Sequence, residues 1–113
     1  MNSAVRAPEP VVESTALPET VPALFQHTAG QRPDAAALYF KAGARWVPIN
    51  WKEYARAVNR LGNALVAEGL QPRDRVALWS ANRPEWQITD LAILHAGLVT
   101  VAIYQTLAPD QVK

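Results

Sequence analysis

An α/β fold is the class that this sequence predicts, and three patterns lead to it. Two short apolar runs flank a glycine turn, a capped amphipathic helix follows them, and a strand, a helix and a strand come next. A strand–helix–strand order is typical of a βαβ unit with parallel strands. We therefore expect a short hairpin and a parallel βαβ unit.

The first segment lacks the periodicity of a folded element. Residues 1–18 are rich in Pro, Glu, Ala and Val, which predicts a mobile N-terminal tail. The organised region is predicted to span residues 19–113. Thr20 can cap a short helix that carries Phe25 and His27, and Gly30 is predicted to end that helix as its C′ residue.

The hairpin and the helix after it have clear turn and cap signals. Residues 36–41 and 45–49 are strand-like runs around Gly43, and Pro48 predicts an edge position because it cannot donate to a ladder. Asn50 and Glu53 have the spacing of a capping box. The apolar stripe that follows predicts a helix with one buried face, and Gly69 is predicted to end this helix. The stripe consists of Tyr54, Val58, Leu61 and Leu65.

The βαβ prediction depends on the second half of the chain. Residues 75–79 and 98–103 are mainly apolar and strand-sized, and between them Pro84 opens a helix that Gly97 closes. Residues 88–94 are apolar on several faces, which predicts a largely buried helix. Residues 108–110 have the chemistry of a first helical turn, so we expect a domain that continues beyond Lys113.

Composition limits the classes of partner. The 113 residues have a formal net charge of +1 and no cysteine. This balance gives no reason to expect nucleic acid or an acidic membrane as a partner, and the absence of cysteine excludes disulfides and thiolate metal sites. No apolar run reaches the length of a membrane span. These features predict a soluble, cytoplasmic protein without a transmembrane segment.

Residues that could perform chemistry do not form a recognisable set. Ser80 lacks the flanking glycines of a nucleophile elbow, and His27 and His95 are too far apart for metal-ligand spacing. Glu85 and Asp90, five residues apart on one helix, make a poor acid–base pair. The five glycines are scattered and do not form a phosphate loop.

Arginines and tryptophans have simpler structural interpretations. Arg73, Arg75 and Arg83 surround one strand and predict a solvated face rather than a nucleic-acid surface. The four tryptophans are predicted to be core or half-buried residues. The sequence thus predicts no catalytic, cofactor-binding or metal-binding residue in this chain.

The order of segments resembles the start of adenylate-forming enzymes. Residues 45–54 (RWVPINWKEY) resemble the family's T-W/Y-x-E-Y/L helix opening, and residues 73–78 (RDRVAL) its G-D-R-V-A-I strand. Residues 80–86 (SANRPEW) and 92–104 (AILHAGLVTVAIY) are similar to the turn and the strand that follow. The resemblance covers about residues 20–113 and is greatest to long-chain fatty-acid–CoA ligases. The chain departs from the family pattern at two places. The family usually has a Lys-Pro-Gly type of turn at the position of residues 71–73, and proline at the position of Ala102.

This resemblance implies an incomplete N-terminal part of an adenylate-forming-enzyme large domain. The full-length enzyme would use ATP, with Mg²⁺, to convert a fatty acid to an acyl-adenylate, and CoA would then displace AMP. The residues that carry this chemistry lie further along such chains. The resemblance therefore implies a scaffold fragment, inactive alone, whose partner is the remainder of the ligase chain.

Two alternatives stay open at the level of sequence. One is a small, non-catalytic α/β interaction module that uses the ligase sequence for assembly. The other keeps the family but changes the acceptor, as in luciferase-like or carrier-protein-loading enzymes.

Overall fold

The computed structural model describes residues 17–112. The elements in chain order are α1 (Val21–Gln31), β1 (Ala36–Ala42), β2 (Arg45–Asn50), α2 (Trp51–Ala67), β3 (Arg75–Trp79), α3 (Pro84–His95), β4 (Val99–Ile103) and a 3-10 turn (Pro109–Gln111). The predicted α/β class is confirmed, with an antiparallel hairpin and a parallel strand pair. The tail predicted at residues 1–18 lies, for residues 1–16, outside the described residues.

The first helix begins where the sequence predicts and ends three residues later than predicted. The Thr20 side chain accepts a hydrogen bond of 3.2 Å from the Ala23 N–H, which confirms the cap. The helix continues through Gly30, and Arg32 is the C-cap. The prediction that Gly30 is the C′ residue is wrong, because Pro33 disfavours helical geometry at the residue before it and so sets the end of the helix.

The hairpin has two chemically different faces. Leu38 pairs with Ile49 and Phe40 with Val47 on the inner face, where all four side chains are half-buried. On the other face, which we call the outer hairpin face, Tyr39 pairs with Pro48 and Lys41 with Trp46, and all four side chains are exposed; this set comprises Tyr39, Lys41, Trp46 and Pro48. The sheet has two strands, so Pro48 lies on an edge strand as predicted.

The second helix begins with the predicted capping box. The Asn50 side chain accepts from the Glu53 N–H at 2.8 Å, and the Glu53 carboxylate accepts from the Asn50 N–H at 3.1 Å. Tyr54 and Val58 are buried, as the predicted stripe requires. Gly69 follows the helix with a φ of +92°, which a glycine adopts without the steric cost of a Cβ atom.

Loss of this cap is expected to have a measurable cost. We expect Asn50→Ala to lower the free energy of unfolding by about 0.5–2 kcal/mol, because the Glu53 N–H loses its acceptor. Urea unfolding followed by circular dichroism measures the change. Asn50→Asp keeps an acceptor and serves as the control. Equal stability of the alanine and aspartate variants would contradict a role for the cap.

The helices and the hairpin share one apolar core. Phe25, Tyr54, Val58 and Ala92 are buried together, and Leu38 from the hairpin packs against them. The Phe25 ring contacts the Tyr54 ring edge-on, with 4.8 Å between the ring centroids. Buried side chains from α1, α2 and α3, two of them from α2, therefore fix the arrangement of the three helices.

The second half of the described chain is the predicted βαβ unit. Strands β3 and β4 are parallel, with Arg75 opposite Val99 and Trp79 opposite Ile103. Every residue from 88 to 94 is buried or half-buried, which confirms the prediction for α3. After α3, the Gly97 and Leu98 N–H groups donate to the carbonyls of Leu94 and Ile93 at 3.1 and 3.0 Å, a Schellman motif.

Candidate functional site

Ser80 has an ordinary local partner. Its hydroxyl donates to the Ala81 carbonyl at 3.0 Å, directly after β3. A nucleophilic serine would instead donate to a general base. This geometry gives Ser80 the role of a polar residue at a strand end.

His95 joins α3 to the other two helices. Its Nδ1 lies 2.6 Å from the Leu91 carbonyl, which can act only as an acceptor, so Nδ1 carries the proton. The Nε2 atom then accepts from the Gln26 amide at 3.0 Å, and that amide also donates to Asn59 at 3.1 Å. The His95 ring also contacts Phe25 edge-on, with centroids 5.5 Å apart. Nδ1 is thus bonded within α3, whereas Nε2 links α3 to α1 through Gln26.

The two carboxylates of α3 have separate surroundings. Glu85 forms an ion pair with Arg83, with 3.0 Å between Oε1 and Nε. The Glu85 backbone N–H, followed by the Arg83 side chain, holds the pKa of the Glu85 carboxyl below its usual value. Asp90 is half-buried and acts electrostatically on Tyr54. A lowered pKa keeps Glu85 ionised, which is unsuitable for a general acid near neutral pH.

The burial of the Tyr54 phenol leads us to expect a loss of stability at alkaline pH. Burial, and then the charge of Asp90, raise the pKa of the Tyr54 phenol above its ordinary value of 10.0. The neutral phenol is favoured in the folded state. Its stabilising contribution is therefore complete below pH 10 and is lost as the pH rises through the folded-state pKa. We expect Tyr54→Phe to flatten the alkaline decline in urea midpoint above pH 10. An unchanged slope would contradict this origin.

Neither a metal cluster nor a membrane-spanning helix occurs within residues 17–112. No group of three or more His, Asp and Glu side chains in this range is placed to hold a metal ion. No helix in the same range is long and apolar enough to cross a bilayer. The absence of catalytic, cofactor-binding and metal-binding residues from the whole chain stays a prediction.

Two tryptophans contradict the prediction of core or half-buried positions. Trp46 is 65% exposed and Trp79 is 53% exposed, whereas Trp51 and Trp86 are half-buried as predicted. Both exposed rings lie in two-stranded sheets that have a covering layer on one face. Strand residues alternate between faces, so the side chains that point away from the helices have no covering layer in this range.

The parallel pair leaves one apolar face open. Leu78 is buried on the face that α3 packs against, while the strand residues on the opposite face are exposed except for the half-buried Ile103, which pairs with Trp79. Trp79 is 53% exposed, Val99 43% and Val101 41%. We call this surface the open sheet face; it comprises Ala77, Trp79, Val99 and Val101.

Sequence reasoning missed this surface, although a signal for it was present. Both strands are apolar at odd and even positions, which is typical of parallel strands buried on two faces. One covering layer, α3, lies within the described residues. Within the described residues, the apolar side chains at 77, 79, 99 and 101 therefore lack the second layer that this pattern is typical of.

Two grooves accompany these surfaces. A cleft of about 760 Å³ lies between the hairpin and the start of α3, and Phe40, Trp46 and Ile88 are among its lining residues. A second groove of about 490 Å³ lies between α1 and α2, with Gln26 and Arg60 in its walls. Neither groove contains a group of side chains arranged for catalysis. The open sheet face is the surface whose chemistry most clearly requires a partner.

The comparisons with known proteins identify the family. The family model described as "AMP-binding enzyme" matches residues 25–113. The long-chain-fatty-acid–CoA ligase FadD15 of Mycobacterium bovis is 34% identical over 108 residues, which cover 83% of this chain and 18% of that protein. The uncharacterized protein Rv1549 of Mycobacterium tuberculosis is 35% identical over 98 residues, 87% of this chain and 55% of that protein.

A solved structure shares the same arrangement of elements. The N-terminal subdomain of NpsA from Klebsiella oxytoca superimposes with a TM-score of 0.74 and 27% identity. The match covers 81% of this chain and 23% of that chain. The chain thus spans less than a quarter of the length of both FadD15 and the NpsA subdomain.

Proposed function

Because the chain belongs to the AMP-binding enzyme family, we propose that it is the N-terminal scaffold segment of an ATP-dependent acyl-CoA synthetase. In this proposal residues 19–113 are the start of a larger AMP-binding domain. The full-length enzyme joins a fatty acid to AMP from ATP, releasing pyrophosphate, and transfers the acyl group to the thiol of CoA. The segment alone is inactive.

The open sheet face is the observation that carries this proposal. Parallel strands in α/β proteins are covered on both faces, and here one face exposes Trp79, Val99 and Val101 to water. Covering these side chains returns about 25 cal/mol for each Å² of apolar surface removed from water. The remainder of the ligase chain is the proposed cover, and the low coverage of FadD15 supports a longer polypeptide.

The substrate class comes from the relatives. FadD15 is named for long-chain fatty acids, and its 34% identity supports the same class here. We propose a long-chain fatty acid as the acid that is activated. The proposed compartment is the cytoplasm.

ATP, CoA and Mg²⁺ belong to the proposed full-length enzyme rather than to this segment. Glycines that could let backbone N–H groups approach a phosphate are scattered, and Gly43, Gly69 and Gly97 serve turns or helix ends. Acidic side chains in residues 17–112 do not gather into a metal-binding group. The described residues therefore do not fit ATP, CoA or Mg²⁺. The role proposed for these residues is to hold the first parallel strands in register.

The test is an ATP–pyrophosphate exchange assay on the natural polypeptide that contains these residues. We expect exchange that depends on a long-chain fatty acid, and none when residues 1–113 are assayed alone. Short-chain acids are the control for substrate class. Exchange by residues 1–113 alone, or none by the natural polypeptide with any fatty acid, would overturn the proposal.

A non-catalytic interaction module is the second candidate, and one relative favours it. The chain covers 55% of Rv1549, so that protein is less than twice as long as the matched part. A relative of this length supports a role for this sequence pattern without the rest of a large ligase. In this alternative the open sheet face would bind a separate polypeptide. Co-purification of a second chain with a short natural product would favour it.

A further inference from the structure

We propose that the groove between α1 and α2 is a docking site for an acidic helix of a partner protein. Three exposed cations line this groove of about 490 Å³ and recur at every fourth position of α2; they are Lys52, Arg56 and Arg60. Residues four apart are neighbours on one helix face, with a rise of about 6 Å between them. The three cations therefore form a row about 12 Å long, which we call the basic row.

The charge of the basic row is only partly neutralised by its own chain. Lys52 forms an ion pair with Asp34 at 3.9 Å, and both side chains are largely exposed. Glu53 is close in sequence, but its carboxylate belongs to the capping box. Within the described part of the chain, Arg56 and Arg60 have no carboxylate at ion-pair distance, and no acidic side chain lines the groove. Like charges four residues apart destabilise a helix, so a bound anion would offset a cost that the row imposes on α2.

The amide groups of the groove also favour an acidic partner. The Gln26 amide donates to the Oδ1 atom of Asn59 at 3.1 Å, so this acceptor is already used within the fold. The Asn59 Nδ2 group then offers its hydrogens at the wall of the groove. Arginine side chains present further donors in a planar fork that matches a carboxylate. A groove that offers mainly donors fits a ligand rich in carboxylates.

The walls of the groove favour a helix over other polyanions. Ala29, Gly30 and Ala55 are small, so the backbone of a partner helix can approach closely. The described lining contains no aromatic side chain, whereas single-stranded nucleic acids stack on aromatic rings and bilayers are bound through aromatic anchors. A helix with a carboxylate at every fourth position repeats at the same spacing of about 6 Å as the basic row. This docking site does not depend on the proposed function.

Fluorescence anisotropy of a labelled peptide, titrated with the natural polypeptide, tests the proposal. The probe is an alanine-rich helical peptide with glutamate at every fourth position, and the control peptide has the same glutamates distributed around the helix. We expect saturable binding of the probe that weakens as salt is raised, and about fivefold weaker binding of the control peptide. Similar binding of both peptides, or no binding of the probe, would overturn the proposal.

Two double variants locate the site. Arg56→Gln with Arg60→Gln should weaken probe binding about fivefold, because each exposed ion pair contributes a factor of about 1.5 to 5, and glutamine preserves the helix. Lys41→Gln with Arg45→Gln removes the same charge from the exposed part of the hairpin and should leave binding within about twofold of the parent. Equal weakening by both double variants would show an effect of net charge and overturn a site in the groove.

A charge swap and a competitor identify the class of partner. Arg56→Glu with Arg60→Glu should bind a peptide that carries lysine in place of glutamate, a gain that loss of structure would not produce. Failure of this swap would overturn recognition by the basic row. Stronger competition by a single-stranded oligonucleotide or by anionic vesicles than by unlabelled probe would overturn an acidic helix as the occupant.

Activity separates this proposal from the proposed function. Fatty-acid-dependent exchange should be the same in the parent and in the Arg56→Gln, Arg60→Gln variant. Exchange without probe binding would refute the docking groove alone. Probe binding without exchange would support the docking groove and refute the ligase.

Discussion

Replacing Ile93 with alanine is expected to lower the free energy of unfolding by about 2–5 kcal/mol. Ile93 is fully buried on α3. Its carbonyl accepts a hydrogen bond from the N–H of Leu98, the residue directly before β4. Truncation removes three buried carbon atoms and leaves a cavity that the surrounding side chains fill only in part. Urea unfolding of the chain measures the change.

A graded series tests the cause. Ile93→Val removes one methylene group and should cost about 0.5–1.5 kcal/mol. Val66→Ala truncates a side chain that is 56% exposed and should have an effect within about 0.5 kcal/mol. An alanine variant as stable as the parent would show that the core does not hold α3 in this position.

Replacing Val101 with aspartate in the natural polypeptide is expected to destabilise it by about 3–5 kcal/mol. Val101 is 41% exposed among the described residues, in the middle of the open sheet face. If the remainder of a ligase domain covers this face, the variant places an unpaired charge in an apolar interior. Thermal unfolding and soluble yield of the natural polypeptide report the loss.

The same substitution should behave differently in the short chain. In residues 1–113 alone, Val101→Asp leaves the charge in contact with water, so we expect little loss of stability and better solubility. Val21→Asp is the control, since Val21 is 57% exposed and begins a helix, where a negative charge is tolerated. A natural polypeptide indifferent to Val101→Asp would contradict a covered sheet face.

Local signals were sufficient to predict most elements of the fold. Asn50 and Glu53 predicted the start of α2 because a capping box is a contact over three residues and needs no distant partner. Pro84 and Gly97 marked the ends of α3 for the same reason, since each acts through its own backbone: Pro84 fixes its φ at a helical value, and Gly97 tolerates a φ of +77°. The prediction that Gly30 ends α1 was wrong because Pro33, three residues later, decides where this helix ends.

The surfaces could not be predicted in the same way. Whether Trp46 or Trp79 is buried depends on which layer covers each sheet face, and that is a property of the assembled domain. Local propensity cannot supply it. His95 shows a related limit, because its contacts with Gln26 and Phe25 join residues far apart in sequence. The family resemblance predicted the fold class and the ligase family, while the partner of the open sheet face is a proposal.

The intact mass of the natural gene product is the most direct test of a ligase segment. We predict a mass several times larger than the 12.4 kDa of this chain, in a single polypeptide that begins with these residues. A mass near 12.4 kDa would contradict the account and would make the open sheet face a binding surface for a separate partner.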